Sequence, residues 1–347
     1  MFSKLIGNNQ IKSVFHRFLQ NNRVPNSMIF AGIEGIGKRL FALELAKASL
    51  CLNPQDFEAC DVCASCQRVT KFNLPKSFDK DDNEKIFFAE HIDVGFVRPA
   101  GRFVTVAQIR DIQSEANFRP YESKARFFIV DDADRMNEAA ANALLKTLEE
   151  PPATSHLILL TSRPNSMLQT IRSRCQIIRF TPIATNEIEN YLNDKASKDK
   201  TISPNDVKLS ARIARGSIGK ALSVNVETYK IQREMMLNVV ESLTVTKDRA
   251  RLLRVAEEMN GEKLKLEYET RLEILQTLIH DVWTLKIGAE NVINQDVQTK
   301  LSKFAANVES KAAQTWLNEI ETLRENFAIN LNRKIATDAL FMRMANA

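Results

Sequence analysis

The 347-residue sequence predicts an α/β domain with a mostly parallel sheet, then a small helical segment, then an all-α C-terminal third. Three observations predict this. A short apolar run, Ser27-Met28-Ile29-Phe30-Ala31, leads into a glycine-rich turn and then into a helical segment from Leu40 to Ala48. Short apolar strands and helices alternate up to Thr181-Pro182, the pattern of a sheet covered on both faces. From about residue 225 the apolar residues recur at helical spacing, with almost no glycine and no proline.

The glycine-rich turn is Gly32-Ile33-Glu34-Gly35-Ile36-Gly37-Lys38, which fits the phosphate-binding pattern G-x-x-x-x-G-K. A strand, a glycine turn and a helix N-terminus together aim backbone N–H groups at an anion. Gly32, Gly35, Gly37 and Lys38 are therefore the candidate nucleotide cradle. The next residue should carry a hydroxyl to ligate the Mg²⁺ that bridges the β- and γ-phosphates. Here it is Arg39, which has donors only and a fixed positive charge. The loop is expected to be poor at hydrolysis. Bound ATP or ADP, or a vestigial loop kept as a turn, both remain open.

Four of the five cysteines cluster as Cys51, Cys60, Cys63 and Cys66. Such spacing in a chain with no export signal argues for a metal rather than disulfides. A Cys₄ set with no open position is the pattern of structural Zn²⁺. Four free thiols and an iron–sulfur cluster are the alternatives, the latter without any ferredoxin-like partner segment. Cys175 stands apart and reads as a small buried residue.

Next comes Arg126-Phe127-Phe128-Ile129-Val130-Asp131-Asp132, an apolar strand ending in carboxylates. This is a Walker B pattern, in which a buried parallel strand delivers Asp131 towards a metal site. The alanine- and leucine-rich run 138–150 predicts a helix stopped by Pro151-Pro152. A second buried strand, Leu157–Ser162, and then Ser173-Arg174-Cys175 follow.

At this point the chain resembles the AAA+ clamp-loader subunits of bacterial DNA polymerase III. The resemblance rests on Ala143-Leu144-Leu145-Lys146-Thr147-Leu148-Glu149-Glu150-Pro151-Pro152 with Ser173-Arg174-Cys175. The opening Leu5-Ile6-Gly7-Asn8-Asn9-Gln10 and the four cysteines after the P-loop helix add to it. It covers residues 1–225 firmly and is only architectural beyond. It implies an AAA+ P-loop domain over 1–182 with the zinc module at 51–66, a helical lid over 183–224, and a helical collar that assembles subunits over 225–347.

The family includes motor subunits that hydrolyse ATP and a delta-prime kind that does not. Three departures favour the second kind. Arg39 replaces the metal-ligating hydroxyl. Asp132 stands where motors have a Glu to orient water, and is one methylene short. Gly219, in Gly216-Ser217-Ile218-Gly219-Lys220, falls where motors carry the sensor-2 Arg. Lys220 is next to it, but one helical residue turns a side chain about 100° away. Phosphoryl transfer rests on positioning and charge neutralisation, and each departure removes part of both.

The resemblance also makes Arg174 a finger for a neighbouring subunit's ATP site, worth about 10³–10⁵ in rate in other phosphoryl-transfer enzymes. An ordinary surface arginine is the plain alternative. The implied partners are the motor subunits, the delta subunit, the sliding clamp indirectly, and primer–template DNA. An ATP-hydrolysing motor and a nucleotide sensor without hydrolysis are the competing functions.

The remaining features constrain less. Hydrophobic content is 44%, charged content 26% and net charge +5, ordinary for a soluble chain and permissive for nucleic acid. No apolar run is long enough for a bilayer, and Met1-Phe2-Ser3-Lys4 leads straight into an amphipathic segment, so a cytoplasmic protein with no membrane partner is expected. His91-Ile92-Asp93 reads as a turn hydrogen bond rather than a ligand pair. Arg98, Arg102 and Arg110 face either phosphates, a neighbouring subunit or solvent. Residues 79–85 read as an acidic, solvated insert. Lid helices are expected at Asn186–Asn193, 204–215 and 216–224. In the last third, the expected core stripes are Leu272, Leu275, Ile279 and Val282; Ala312, Trp316, Ile320 and Leu323; and Ile335, Ala339, Phe341 and Met342.

Overall fold

The computed structural model describes residues 2–73, 86–196, 203–259, 265–289, 291–325 and 332–346. The acidic insert expected at 79–85 lies outside them. Two compact units result: residues 1–201 with 214–222, and residues 202–213 with 223–347.

The first unit is built on a six-stranded sheet. In chain order it runs α1 (Asn9–Gln20), β1 (Ser27–Ala31), α2 (Lys38–Ser49), α3 (Ala64–Val69), β2 (Phe87–Phe88), β3 (Val94–Val97), α4 (Val106–Ala116) and β4 (Arg126–Val130). It continues with α5 (Glu138–Glu149), β5 (Ser155–Thr161), α6 (Gln169–Arg172), β6 (Gln176–Arg179) and α7 (Thr185–Ala196). The spatial order is β2-β3-β4-β5-β1-β6, and only the β2–β3 pair is antiparallel. Buried on both faces, β1 and β4 are continuous apolar runs rather than alternating ones. The expected P-loop and Walker B strands are thus both present, with β5 between them.

An aromatic cluster seats the P-loop strand. Phe15 of α1 stacks on Phe30 of β1, with centroids 5.4 Å apart, and Phe41 of α2 meets Phe180 edge-on at 5.1 Å. On the other face, Ile29, Phe128 and Leu159 of the sheet pack with Ile109 and Ile112 of α4 and Leu144 and Leu148 of α5. Capping defines the helix starts. Thr105 and Gln108 form a reciprocal capping box on α4, and the Asn137 side chain accepts from the Ala140 N–H on α5. The short helix α9 (Ile218–Ser223) belongs to this unit, whereas α8 (Pro204–Ile213) belongs to the second.

The second unit is helical: α8, α10 (Val226–Glu241), α11 (Arg249–Met259), α12 (Lys265–Lys286), α13 (Gln298–Ala306), α14 (Ser310–Glu325) and α15 (Arg333–Asn346). Leu272, Leu275, Ile279 and Val282 of α12 are all fully buried, as their spacing predicts. Trp316, Ile320 and Leu323 are buried too, with Trp316 Nε1 donating to the Met344 carbonyl at 2.7 Å. The last helix meets expectation in part: Phe341 is buried, but Ile335 is 66% exposed and Ala339 is exposed too, while Thr337, Leu340 and Met344 are buried instead. The buried Thr337 hydroxyl lies 2.6 Å from that of Tyr268. A buried polar cluster fixes the chain before α13: Asp281 accepts the N–H groups of Ile293 and Asn294, both at 2.9 Å, and Arg233 pairs with Asp296. Among the described residues no helix is long and apolar enough to cross a membrane.

Candidate functional site

The glycine turn lies at the carboxyl end of β1, where ligands of open α/β sheets bind. The Gly32 N–H donates to the Thr161 carbonyl of β5 at 3.1 Å, and Gly37 opens α2 with a φ of 104°. Lys38 points back into its own loop, donating to the carbonyls of Gly32 at 2.7 Å and Ile33 at 3.0 Å. Burial draws its ammonium below its ordinary pKa, against the pull of Asp131, Asp132, Glu34 and Asp134.

The other side of the loop is covered by α9. Ser217 donates its hydroxyl to the Glu34 carbonyl at 2.8 Å, and the Gly219 N–H donates to the Gly35 carbonyl at 2.8 Å. Gly35 has a φ of +71°, and a Cβ there would lie 2.5 Å from the Ser217 hydroxyl oxygen. A Cβ on Gly219 would lie 2.9 Å from both Cα and O of Gly35. Two glycines thus let helix backbone rest on loop backbone, at the position where the resemblance implies a sensor-2 arginine in motors.

Asp131 ends β4 with its N–H on the Val97 carbonyl at 2.8 Å. Burial and then the adjacent Asp132 push its carboxyl up, while Arg39 and Lys38 pull it down. The Arg39 guanidinium lies over Phe96, 5.6 Å from the ring centroid. Its field, added to burial, lowers Arg98. A fixed cation therefore shares the electrostatic environment of Asp131. Asp132 adopts a left-handed backbone (φ 45°) and pairs with Arg135 at 3.3 Å. Gly32, Gly35, Gly37 and Lys38 follow β1 and Asp131 follows β4, so all five lie beyond the carboxyl ends of sheet strands.

Arg174 stands elsewhere, just before edge strand β6. Its guanidinium donates to the Thr170 carbonyl at 3.1 Å and pairs with Glu149 at 2.8 Å. Burial pushes the neighbouring Cys175 thiol up to about 12, so it is not a ready thiolate.

The four cysteines converge. Their sulfurs all lie within 4.8 Å of one another, with Cys51–Cys63 at 4.0 Å and Cys60–Cys66 at 3.9 Å. Four sulfurs at about 2.3 Å from a tetrahedral ion would be about 3.8 Å apart. Backbone N–H groups of Cys60, Cys63 and Cys66 point at the sulfurs of Cys51, Cys60 and Cys63 at 3.3–3.4 Å, the environment a thiolate requires. Burial raises the Cys63 thiol, but the N–H groups of Cys66 and Leu52 and its thiol neighbours bring it down to about 6. The four cysteines are close enough to hold one metal ion. The module is fastened to its surroundings by ions. Asp61 pairs with Lys47 and Lys4, both at 2.6 Å, and Glu58 with His16 at 3.1 Å.

The His91–Asp93 segment is structural. The fully buried Asp93 carboxylate accepts from the N–H of Tyr121 at 2.8 Å, that of Glu122 at 3.1 Å and the Ser123 hydroxyl at 2.7 Å. Buried Arg126 lies 3.6 Å from it. Arg98 lies over Phe87 and Arg102 over Phe103, each 5.3 Å from the ring centroid. Arg110 is exposed on α4. Sequence reasoning missed three contributors: Ser217, the Gly219–Gly35 contact, and Glu149. The pair of glycines in 216–219 was a usable signal for the first two. Glu149 lies in the Ala143–Pro152 run that carries the family resemblance, but nothing in the sequence marked its pairing with Arg174.

Comparison with known proteins follows the same division of the chain. The family model described as DNA polymerase III, delta subunit, matches residues 7–184, and that described as DNA polymerase III, delta subunit, C terminal, matches residues 230–344. The DNA polymerase III subunit delta' of Bacillus subtilis (strain 168) is 27% identical over 325 residues, covering 93% of this chain and 92% of its own length. The subunit delta' of Escherichia coli (strain K12) is 26% identical over 331 residues, covering 94% and 90%. The DNA polymerase III subunit tau of Bacillus subtilis is 27% identical over 278 residues, covering 79% of this chain and 46% of the relative.

Proposed function

The chain belongs to the DNA polymerase III delta-subunit family, and from that premise we propose that it is a clamp-loader subunit of the delta-prime kind, without ATPase activity of its own. The observation that carries this reading is the contact of Gly219 with Gly35. Helix backbone rests where a sensor-2 arginine would need room. Arg39 adds a cation beside Asp131 in place of a metal-ligating hydroxyl. Two delta-prime subunits match over nine-tenths or more of both chains, which supports the same choice.

In this reading Arg174 is the catalytic contribution, made in trans. The guanidinium enters a neighbouring motor subunit's ATP site and stabilises charge on the transferring phosphoryl group. Gly32, Gly35, Gly37, Lys38 and Asp131 form a degenerate nucleotide site. Cys51, Cys60, Cys63 and Cys66 hold structural Zn²⁺, since four thiolates fill its coordination sphere and leave no position for substrate. Residues 183–224 act as the lid and residues 225–347 as the collar. The partners are the motor subunits and the delta subunit, with the sliding clamp engaged indirectly and primer–template DNA inside the complex. The protein works in the cytoplasm as part of a DNA-directed DNA polymerase assembly.

Two measurements test this. The purified chain with MgATP should release no phosphate above background; turnover of about 1 s⁻¹ or more would establish a motor instead. Calorimetric binding of MgATP without turnover would establish a nucleotide sensor. In a reconstituted complex, Arg174→Ala should abolish most DNA-stimulated hydrolysis at the neighbouring site.

A further inference from the structure

We propose that Glu149 is the positioning residue for Arg174, holding its guanidinium oriented before the neighbouring subunit's phosphates arrive. This rests on the reading of Arg174 as a trans finger. Glu149 is the last residue of α5. That is the negative end of the helix dipole, where a carboxylate is disfavoured. A residue placed against a local rule calls for a compensating partner, and here it is Arg174, whose Nη2 lies 2.8 Å from Glu149 Oε1. Arg174 Nη1 is held at the same time by the Thr170 carbonyl at 3.1 Å. Two anchors on different Nη atoms fix a planar group in both rotation and tilt. A guanidinium has five N–H donors, so three remain for an incoming anion.

The backbone under the finger is fixed separately: the Ser173 N–H donates to the Gln169 carbonyl at 2.9 Å and the Arg174 N–H to the Ile171 carbonyl at 3.1 Å. Asp134, whose side chain is 1% exposed, accepts from the Thr161 hydroxyl at 2.7 Å and from two Arg163 nitrogens at 2.9 Å. This holds the end of β5 as it turns towards α6. What remains free to wander is the Arg174 side chain, and Glu149 is the only charged group among the described residues that is seen paired with it. An arginine side chain has many rotamers, and restraint in its own chain lowers what must be lost when the phosphate is engaged. Both partners are partly exposed, so only part of that gain is recovered.

The test uses the whole reconstituted complex and its DNA-stimulated ATPase, with kcat and KM measured separately. Arg174→Ala is expected to lower kcat about 10³-fold or more. Glu149→Ala is expected to lower kcat about 1.5- to 5-fold, the span of an exposed pair, with KM for ATP unchanged. Glu149→Gln, which keeps an acceptor oxygen, should recover part of that loss. Adding Glu149→Ala to Arg174→Ala should cost nothing further, because the carboxylate acts only through the guanidinium. A structural role for Glu149 would instead give additive losses, visible against the residual single-turnover rate. Unchanged or raised kcat in Glu149→Ala, or additivity in the double variant, overturns the proposal. Full activity of Arg174→Ala overturns the finger reading beneath it. Co-elution of each variant with the complex on gel filtration shows that the comparison is between assembled enzymes.

Discussion

The closure of the P-loop by α9 is open to a one-methyl perturbation. In Gly219→Ala the new Cβ would sit 2.9 Å from Gly35 Cα and 2.9 Å from Gly35 O. Both are backbone atoms, so neither can swing aside as a flexible side chain would. Alanine is intrinsically favoured in a helix over glycine by about 1 kcal/mol, which alone would stabilise α9. Against it stands overpacking, at about 1–3 kcal/mol. If α9 lifts instead, the bonds from Ser217 to Glu34 and from Gly219 to Gly35 are lost, at about 1 kcal/mol each. Because both clashing atoms are backbone, the upper part of the overpacking range, about 2–3 kcal/mol, applies; less about 1 kcal/mol gained in helix propensity, a net loss of about 1–2 kcal/mol is expected for opening α9 from the loop. That corresponds to about 5- to 30-fold faster native-state hydrogen exchange in peptides covering residues 32–38 and 214–222. Tryptophan fluorescence is the wrong probe, since Trp283 and Trp316 both lie in the second unit. Unchanged or slower exchange in Gly219→Ala would show that α9 does not rest on the loop, and the argument from a closed pocket would go with it.

Three further outcomes are expected. Purified protein should carry about one zinc per chain by mass spectrometry, Cys60→Ser should lose it, and retention should weaken as pH falls and thiolates protonate; full metal content in Cys60→Ser would dismiss the site. Burial lowers the pKa of His156, which stacks on Phe127 with centroids 4.7 Å apart, so the native state resists its protonation. Its contribution is then complete above the unfolded value of about 6.5 and is lost as pH falls below it, and His156→Gln should flatten that part of the stability–pH curve in urea titrations. Asp93→Ala removes a fully buried carboxylate and leaves three donors without their acceptor, while Arg126 keeps Glu115 at 2.9 Å, so a loss of about 3 kcal/mol is expected; a shift in the first unit's urea transition worth under about 1 kcal/mol would contradict the role of Asp93 as their acceptor.

The elements best legible in the sequence were those set by short-range patterns. β1 at Ser27–Ala31 and α5 at Glu138–Glu149 follow from apolar runs and from a proline stop. The α12 stripe follows from helical periodicity and is buried as expected. In α15 the same reasoning was right for Phe341, which is fully buried, and wrong for Ile335, which is exposed. Thr337 is buried there instead, its hydroxyl bonded to that of Tyr268, and no count of apolar side chains anticipates that. Asp93 was expected in a local turn hydrogen bond, but its carboxylate accepts instead from Tyr121, Glu122 and Ser123, about thirty residues on, which sequence could not name.

By itself the sequence determined which groups this protein possesses: a phosphate loop with a cation at its metal position, four thiols at metal spacing, a carboxylate at the end of a buried strand, and an arginine before another. Those are facts of composition and local spacing, and local spacing survives without a fold. The tertiary structure alone decided what each group faces. Ser217 reaches Glu34 across 183 residues of sequence, and Glu149 meets Arg174 because α5 and β6 belong to one sheet-centred unit. Such contacts are set by how helices pack on a sheet, and packing depends on the whole chain at once.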